Sequence, residues 1–215
     1  MSPPPRHPAE RPASQLGLRE RKKLKTRESI QREAMRLFQK HGYEETTIED
    51  IAEAAEISPS TFFNYFPSKE DVVLYDAYDP ILASILLDRP ADEPLSVSLR
   101  FALAPMGDLF ERDREMLLAR AKLWMEVPAL QARLWSELQK AQTLMCELVA
   151  QRSGRKADDF EIRVVVMVIV GAAWEAMLEW VKQGGPGNFI GLVNRALDVV
   201  DAGARLDAIA APVGA

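Results

Sequence analysis

The chain has 215 residues, 47% hydrophobic and 27% charged, enough to bury a real core and typical of soluble globular proteins. Its formal charge of −5 excludes a protein that coats nucleic acid indiscriminately, because such binders carry net positive charge to neutralise phosphates. One cysteine and two histidines exclude an internal disulfide and leave almost no material for a His-based triad or a His/Cys metal site, so neither a metal nor a cofactor is expected.

Residues 1–18 carry Pro3, Pro4, Pro5, Pro8 and Pro12 with little apolar content and are expected to form a flexible lead. No apolar stretch of signal-peptide type precedes Leu24, so the cytoplasm is the expected compartment. Between Arg19 and Arg27 six of nine residues are basic, a local cationic patch on an acidic protein. From about Lys22, Ile30, Ala34, Leu37 and Phe38 recur at helical spacing and predict a first helix ending at His41-Gly42.

Thr47 with Asp50 three residues on reads as a capped start, and Ile48, Ile51, Ala52 and Ala55 form one apolar face of a short second helix. Ser58-Pro59 starts a third helix, which Pro67 ends. Ser68 with Asp71 opens a fourth that runs to about Leu87. Beyond the linker marked by Pro90 and Pro94, helices are predicted at roughly 95–112, 114–126, 128–152, 157–183 and 187–203. No segment alternates long enough to need a strand, so the expected fold is all-α with about nine helices.

Two short helices joined by a tight turn need a platform beneath them, and the first helix supplies it. In such a helix-turn-helix the leading helix crosses the DNA backbone while the N-terminal part of the next enters the major groove. The exposed positions of the third helix suit that task. Ser60, Thr61 and Asn64 are short polar groups, and an Asn can pair two groups on adenine at once. Tyr65 and Lys69 follow as phosphate donors, while Phe63 can lie against a thymine methyl or the sugar backbone. Phe62 and Phe66 read as core. Each of these residues, taken singly, equally suits a cap or a solvated position of a helical bundle.

The stretch TTIEDIAEAAEISPSTFFNYFPSKEDVV closely resembles the tetracycline-repressor (TetR) family, with likeness from roughly Arg21 to Leu74. The resemblance implies that Thr47, Ser60, Thr61, Asn64, Tyr65 and Lys69 lie at the DNA surface, with Tyr65 and Lys69 on phosphates; Ser58 and Phe63 join them as candidates from their places on the third helix. It also implies an arm before the first helix, here Arg19 to Lys25, whose Arg21, Lys22 and Lys25 add backbone contacts. Two departures stand out: Glu56 occupies the turn position where the family often has glycine, and Phe63 stands where tyrosine is common. The implied organisation is a DNA-binding domain over 19–68 and a helical effector-binding and dimerisation domain over 69–215. The implied protein is a homodimeric, ligand-relieved repressor of double-stranded DNA with an inverted-repeat operator.

The run Val164 to Trp174 is uncharged and apolar on every face, far shorter than the roughly 20 residues a bilayer needs, so no membrane role is expected. Val164 and Val168 with Gly171 and Ala172, where a partner helix can approach closely, are the candidate dimer contact. Phe101, Trp124, Met125, Trp135, Met145, Trp174 and Met177, with Glu175 as a polar orienting group, are candidates for a small-molecule effector pocket, though such residues also serve as plain core. The N-terminal half is most similar to the actinobacterial branch that includes the mycofactocin-system regulator. That likeness implies a small hydrophobic effector, among them an acyl-coenzyme A thioester. No Gly-rich phosphate loop or nucleophile elbow appears, and helix capping explains Asp158 and Asp159, so catalysis is not expected. A helical protein-protein adaptor is the competing reading.

Overall fold

The computed structural model describes residues 17–203; of the lead expected over residues 1–18, residues 1–16 lie outside them, and Leu18 already belongs to a helix. Twelve helices and no strand occur among the described residues: α1 Leu18–His41, α2 Ile48–Ala54, α3 Pro59–Phe63, α4 Lys69–Leu74, α5 Asp79–Leu87, α6 Leu95–Leu103, α7 Met106–Arg112, α8 Arg114–Glu126, α9 Pro128–Gln131, α10 Leu134–Ser153, α11 Phe160–Lys182 and α12 Phe189–Asp201. The excess over nine arises because three expected helices are each split. Pro80 reopens the chain as α5, where its missing N–H costs nothing in a first turn. Pro105 separates α6 from α7 because its ring cannot sit against the carbonyl four residues back. The break at Ala132-Arg133 has no such breaker; there the Arg133 amide bonds back to Leu130, whose side chain is buried.

The chain falls into two compact units, one of the described residues up to Arg89 with Arg112–Lys140, the other of Pro90–Glu111 with the residues from Ala141. In the first, Ile30, Ala34 and Phe38 of α1 form one buried stripe, and Ile51, Phe62, Phe66, Val72 and Val73 close over it with Val127 and Leu130. Each large side chain so buried contributes on the order of 1.5–3 kcal/mol. The core therefore runs past residue 68, through α4 to the start of α9.

α1 ends as its spacing predicts: Gly42, at φ 92, returns its N–H to the Phe38 carbonyl. Its start differs from expectation. The helix begins at Leu18, so the basic residues expected as a preceding arm occupy its first two turns.

After α2 the chain reverses through Glu56, the non-glycine residue with positive φ among those described, at 56°. The reversal is closed by bonds from Glu56 N to Glu53 O and from Ile57 N to Ala52 O, at 3.0 and 2.9 Å. A side chain in that geometry costs about 1–2 kcal/mol, partly offset because it also restricts the unfolded chain. Glu56→Gly is expected to raise unfolding free energy by roughly 0.5–1 kcal/mol in denaturant titration. A lower midpoint would mean that the Glu56 side chain makes a contact worth more than the strain.

In the second unit α11 packs along α12, and α12 meets α6. Arg100 of α6 reaches the Asn194 carbonyl at 3.1 Å, Asp198 at 2.8 Å and Asp201 at 3.0 Å on α12. Phe110, Phe189 and Trp180 form a run of tilted rings with centroids 5.5 and 5.4 Å apart. A smaller core joins Cys146 to Ile162 and Val166, and burial raises the Cys146 thiol pKa, as suits an inert packing residue.

α11 is not covered on all sides within one chain. Ile162, Val166, Ala176 and Trp180 are buried, whereas Phe160, Val164 and Val168, four residues apart, present an exposed apolar stripe. Gly171 and Ala172 continue it as small residues. The whole of α11, with its flanks, is long and apolar enough by composition to cross a membrane, which the uncharged run alone is not.

Candidate nucleic-acid interface

Local sequence builds the reading head from caps. Thr47 adopts extended geometry before α2; its hydroxyl accepts from Asp50 N, and Asp50 Oδ2 accepts from Thr47 N at 2.9 Å and Thr47 Oγ1 at 2.5 Å. These bonds, the hydroxyl's first, hold the Asp50 carboxyl below its ordinary pKa. Ser58 caps α3 by accepting from Thr61 N at 3.1 Å, and Pro59 occupies the first helical turn. The Ser58 hydroxyl also lies 2.8 Å from those of Ser60 and Thr61, with donor and acceptor interchangeable in both pairs.

α3 ends at Phe63, short of the end expected at Pro67, because the chain leaves the helix through a turn at Asn64-Tyr65; helix and turn together divide their side chains between two faces. Phe62 and Phe66 are buried with ring centroids 6.0 Å apart, as their sequence positions predict. Ser60, Phe63 and Asn64 are exposed on the opposite side, Thr61 and Tyr65 half-buried at its edges. Phe63 is 53% exposed, its ring meeting Phe62 edge-on at 5.6 Å. Arg21, Lys22 and Lys25 are exposed at the start of α1.

Two cations of the expected surface turn inward. Arg27 donates from Nη2 to the Tyr65 carbonyl at 2.9 Å, and its guanidinium sits 5.3 Å from the Phe66 ring centre and 4.8 Å from that of Tyr75. Lys69, expected as a phosphate donor, instead gives its ammonium to the carbonyls of Tyr43 at 2.7 Å and Thr46 at 3.2 Å, over the Tyr43 ring at 4.2 Å. Its reach is long enough, and the carbonyls between α1 and α2 lack helical partners, so they capture it.

Most of the residues that brace this head carry no signal in the sequence. Gln31, buried in α1, donates to the carbonyls of Val72 and Tyr75, both at 2.9 Å. Arg120 holds the Tyr75 carbonyl and Asp76, each at 2.8 Å. Arg133 pairs with Asp71 at 2.7 Å, while the Ser68 hydroxyl donates to the other Asp71 oxygen at 2.6 Å. Burial pushes the Asp71 carboxyl up, but the bonds from Arg133 and Ser68 and the Arg133 charge outweigh it, and its pKa lies below the ordinary value. Only Ser68 and Asp71 are close enough in sequence to be read beforehand, as a helix cap.

The candidate effector residues are divided between the units. Trp124, Met125 and Trp135 belong to the first, where Trp124 packs against the main core while Met125 and Trp135 are exposed, the latter by 62%. Phe101, Met145, Trp174, Glu175 and Met177 belong to the second; Met145 packs beside Cys146, whereas Phe101 and Glu175 are exposed. Trp180, not among those candidates, is buried there with an indole N–H that meets no acceptor among the described residues.

Residues 30–75 match the family described as bacterial regulatory proteins of the tetR family, and residues 93–205 match the family described as the MftR C-terminal domain. The HTH-type transcriptional regulator TcmR of Streptomyces glaucescens is 36% identical over 173 residues, 76% of each chain. MftR of Mycobacterium tuberculosis, described as a mycofactocin biosynthesis transcriptional regulator, is 30% identical over 186 residues, 85% of this chain and 93% of its own. Among solved structures, Thermus thermophilus FadR, a TetR-family repressor in complex with lauroyl-CoA, superposes with a TM-score of 0.54 at 25% identity, covering 88% of this chain and 99% of that one.

Proposed function

Since this chain belongs to the TetR family of transcriptional regulators, whose members are DNA-binding repressors and not enzymes, we propose that it reads an inverted-repeat operator as a homodimer and releases it on binding a small hydrophobic effector. The carrying observation is the exposed face of α3 and the turn after it, where Ser60, Phe63 and Asn64 stand out over a buried Phe62 and Phe66. Ser60, Thr61 and Asn64 meet base edges, and Phe63 packs on a thymine methyl or sugar. Tyr65, Thr47 and the cap at Ser58 face the backbone at the margins, and Arg21, Lys22 and Lys25 meet phosphates from the first turns of α1.

One such helix reads too few base pairs to select a site, whereas a two-fold dimer reads two half-sites about 34–36 Å apart. Val164 and Val168, with Gly171 and Ala172, form the dimer contact on the stripe that α11 leaves uncovered. That role also explains a helix of membrane-like composition in a cytoplasmic regulator.

For the effector, the second unit holds the candidates Phe101, Met145, Trp174, Met177 and the exposed Glu175, and Trp180 as a buried donor. Trp124, Met125 and Trp135 belong to the other unit and are the outlying members of the set. A buried N–H without an acceptor costs about 1–3 kcal/mol, which a ligand carbonyl would recover. FadR's lauroyl-CoA makes an acyl-coenzyme A thioester the first effector class to test. Ligand relief requires that effector bind more tightly to a dimer whose reading heads no longer match the operator spacing.

Binding to an operator selected from random DNA, followed across salt concentration, tests the reading. Specific, salt-sensitive binding is expected, with Lys22→Ala and Lys25→Ala each lowering the slope of log K against log salt by about 0.9 for every phosphate no longer neutralised, equally on all sequences. An unchanged slope would remove these lysines from the interface. Absence of any selected sequence would favour the adaptor. Adding a series of acyl-coenzyme A thioesters should release the DNA; a series without release would exclude that effector class.

A further inference from the structure

Lys69 stands at the first position of α4, but what it holds is the turn between α1 and α2. That turn covers residues 42–47 and must deliver Thr47, the cap of α2, at a defined place. Thr46 is buried and spends its hydroxyl on the Gly42 carbonyl at 2.8 Å, so the Tyr43 and Thr46 carbonyls are left for outside donors. Two of the three ammonium protons of Lys69 go to these carbonyls, and the ammonium also lies over the buried Tyr43 ring. The next residue, Glu70, grips the same ring from its polar end, accepting from the Tyr43 hydroxyl at 2.8 Å. Consecutive residues of opposite charge thus hold one aromatic residue of the turn.

The base of this grip is itself fixed. Ser68 caps α4 through Asp71, and Arg133 binds Asp71. As a phosphate ligand in its present position Lys69 has only its third ammonium proton to give; to give more it would have to leave a carbonyl and uncover a buried acceptor.

We propose that Lys69 is a positioning residue for DNA recognition: its ammonium fixes the 42–47 turn, and with it the placement of Thr47 and α2, without itself binding phosphate. The inference rests on the DNA-reading role assigned to α2 and α3. It separates two functions for cations in one small domain, with Lys22 and Lys25 facing the polyanion and Lys69 holding the scaffold.

Lys69→Met keeps the length of the side chain and removes the charge and donors; Tyr43→Phe keeps the buried ring and removes only the bond to Glu70. Both are compared with wild type in operator affinity across salt concentration and in amide hydrogen exchange over residues 43–50 of the free protein. Lys69→Met is expected to bind about ten-fold more weakly at every salt concentration with the wild-type slope, as for a misplaced base reader, and to exchange faster over 43–50. Tyr43→Phe is expected to move in the same direction by a smaller factor.

A slope reduced by about 0.9, the value for one phosphate left without its cation, together with unchanged exchange, would make Lys69 a phosphate ligand and overturn the proposal. Unchanged affinity and exchange would overturn it as well. Should Lys69→Met fail to fold, Lys69→Gln, which removes the charge, takes its place: weaker binding with the wild-type slope supports the proposal, and a slope reduced by about 0.9 overturns it. If wild type selects no operator, the DNA reading fails, while exchange in the free protein still decides whether Lys69 orders the turn.

Discussion

Aspartate at both Val164 and Val168 of α11 is expected to leave a folded monomer that has lost operator binding by about 100-fold or more, because one reading head then acts without the other. The two valines are 45% and 41% exposed in the single chain, so the substitutions remove little packing within it. In a dimer the same positions would be covered, and an unpaired carboxylate there must either lose its water or keep the helices apart. The stripe from Phe160 through Val168 is continuous, and two charges four residues apart interrupt it on one face. Sedimentation and operator binding, followed together, check the result. A double variant that stays dimeric would place the contact elsewhere; a monomer that binds as tightly as wild type would end the two-half-site reading.

Neighbouring phenylalanines of α3 are expected to fail in opposite ways. Phe62 is 0% exposed and touches Phe66 and Phe63 by ring contacts within the core that joins α1 to α4. Phe62→Ala is therefore expected to cost about 3–5 kcal/mol, enough to unfold much of the first unit at physiological temperature. Phe63→Ala removes a ring that lies mainly in solvent, with one edge contact, and should cost no more than about 1 kcal/mol of stability. Its loss should instead appear in operator affinity. Denaturant unfolding with DNA titration separates the two, and a Phe63→Ala protein with normal operator affinity would take that ring out of the interface.

What is legible in the sequence is local. The stripe Ile30, Ala34 and Phe38 and the caps Thr47, Ser58 and Ser68 each depend on residues within a few positions, and the structure holds them as the spacing predicts; the left-handed Glu56 agrees with the resemblance, which puts a glycine position there. Long flexible cations escape such reading because their destinations are set by tertiary structure. Lys69 meets a carbonyl 26 positions away, Arg27 one 38 positions away, and Arg133 a carboxylate 62 positions away. An exposed and a buried cation look alike in a charge run, so the cationic patch looks wholly outward in sequence although Arg27 belongs to the interior. Helix breaks divide similarly: the expected helices run through Pro80 and Pro105 although each proline is a local breaker, while the break at Ala132-Arg133 follows from where Leu130 and Arg133 are held.

The hydroxyls of Ser58, Ser60 and Thr61 already bond one another in the free protein. The order of α3's first turn is therefore in place before DNA arrives, and binding exchanges these bonds rather than adding to them. Because either oxygen of each pair can be the donor, the relay can reverse its polarity and offer a hydrogen at one operator position or a lone pair at another. On the DNA-reading role proposed above, such a head is expected to tolerate substitution opposite Ser60 and Thr61 and to leave strict base choice to Asn64, whose amide cannot reverse without turning over.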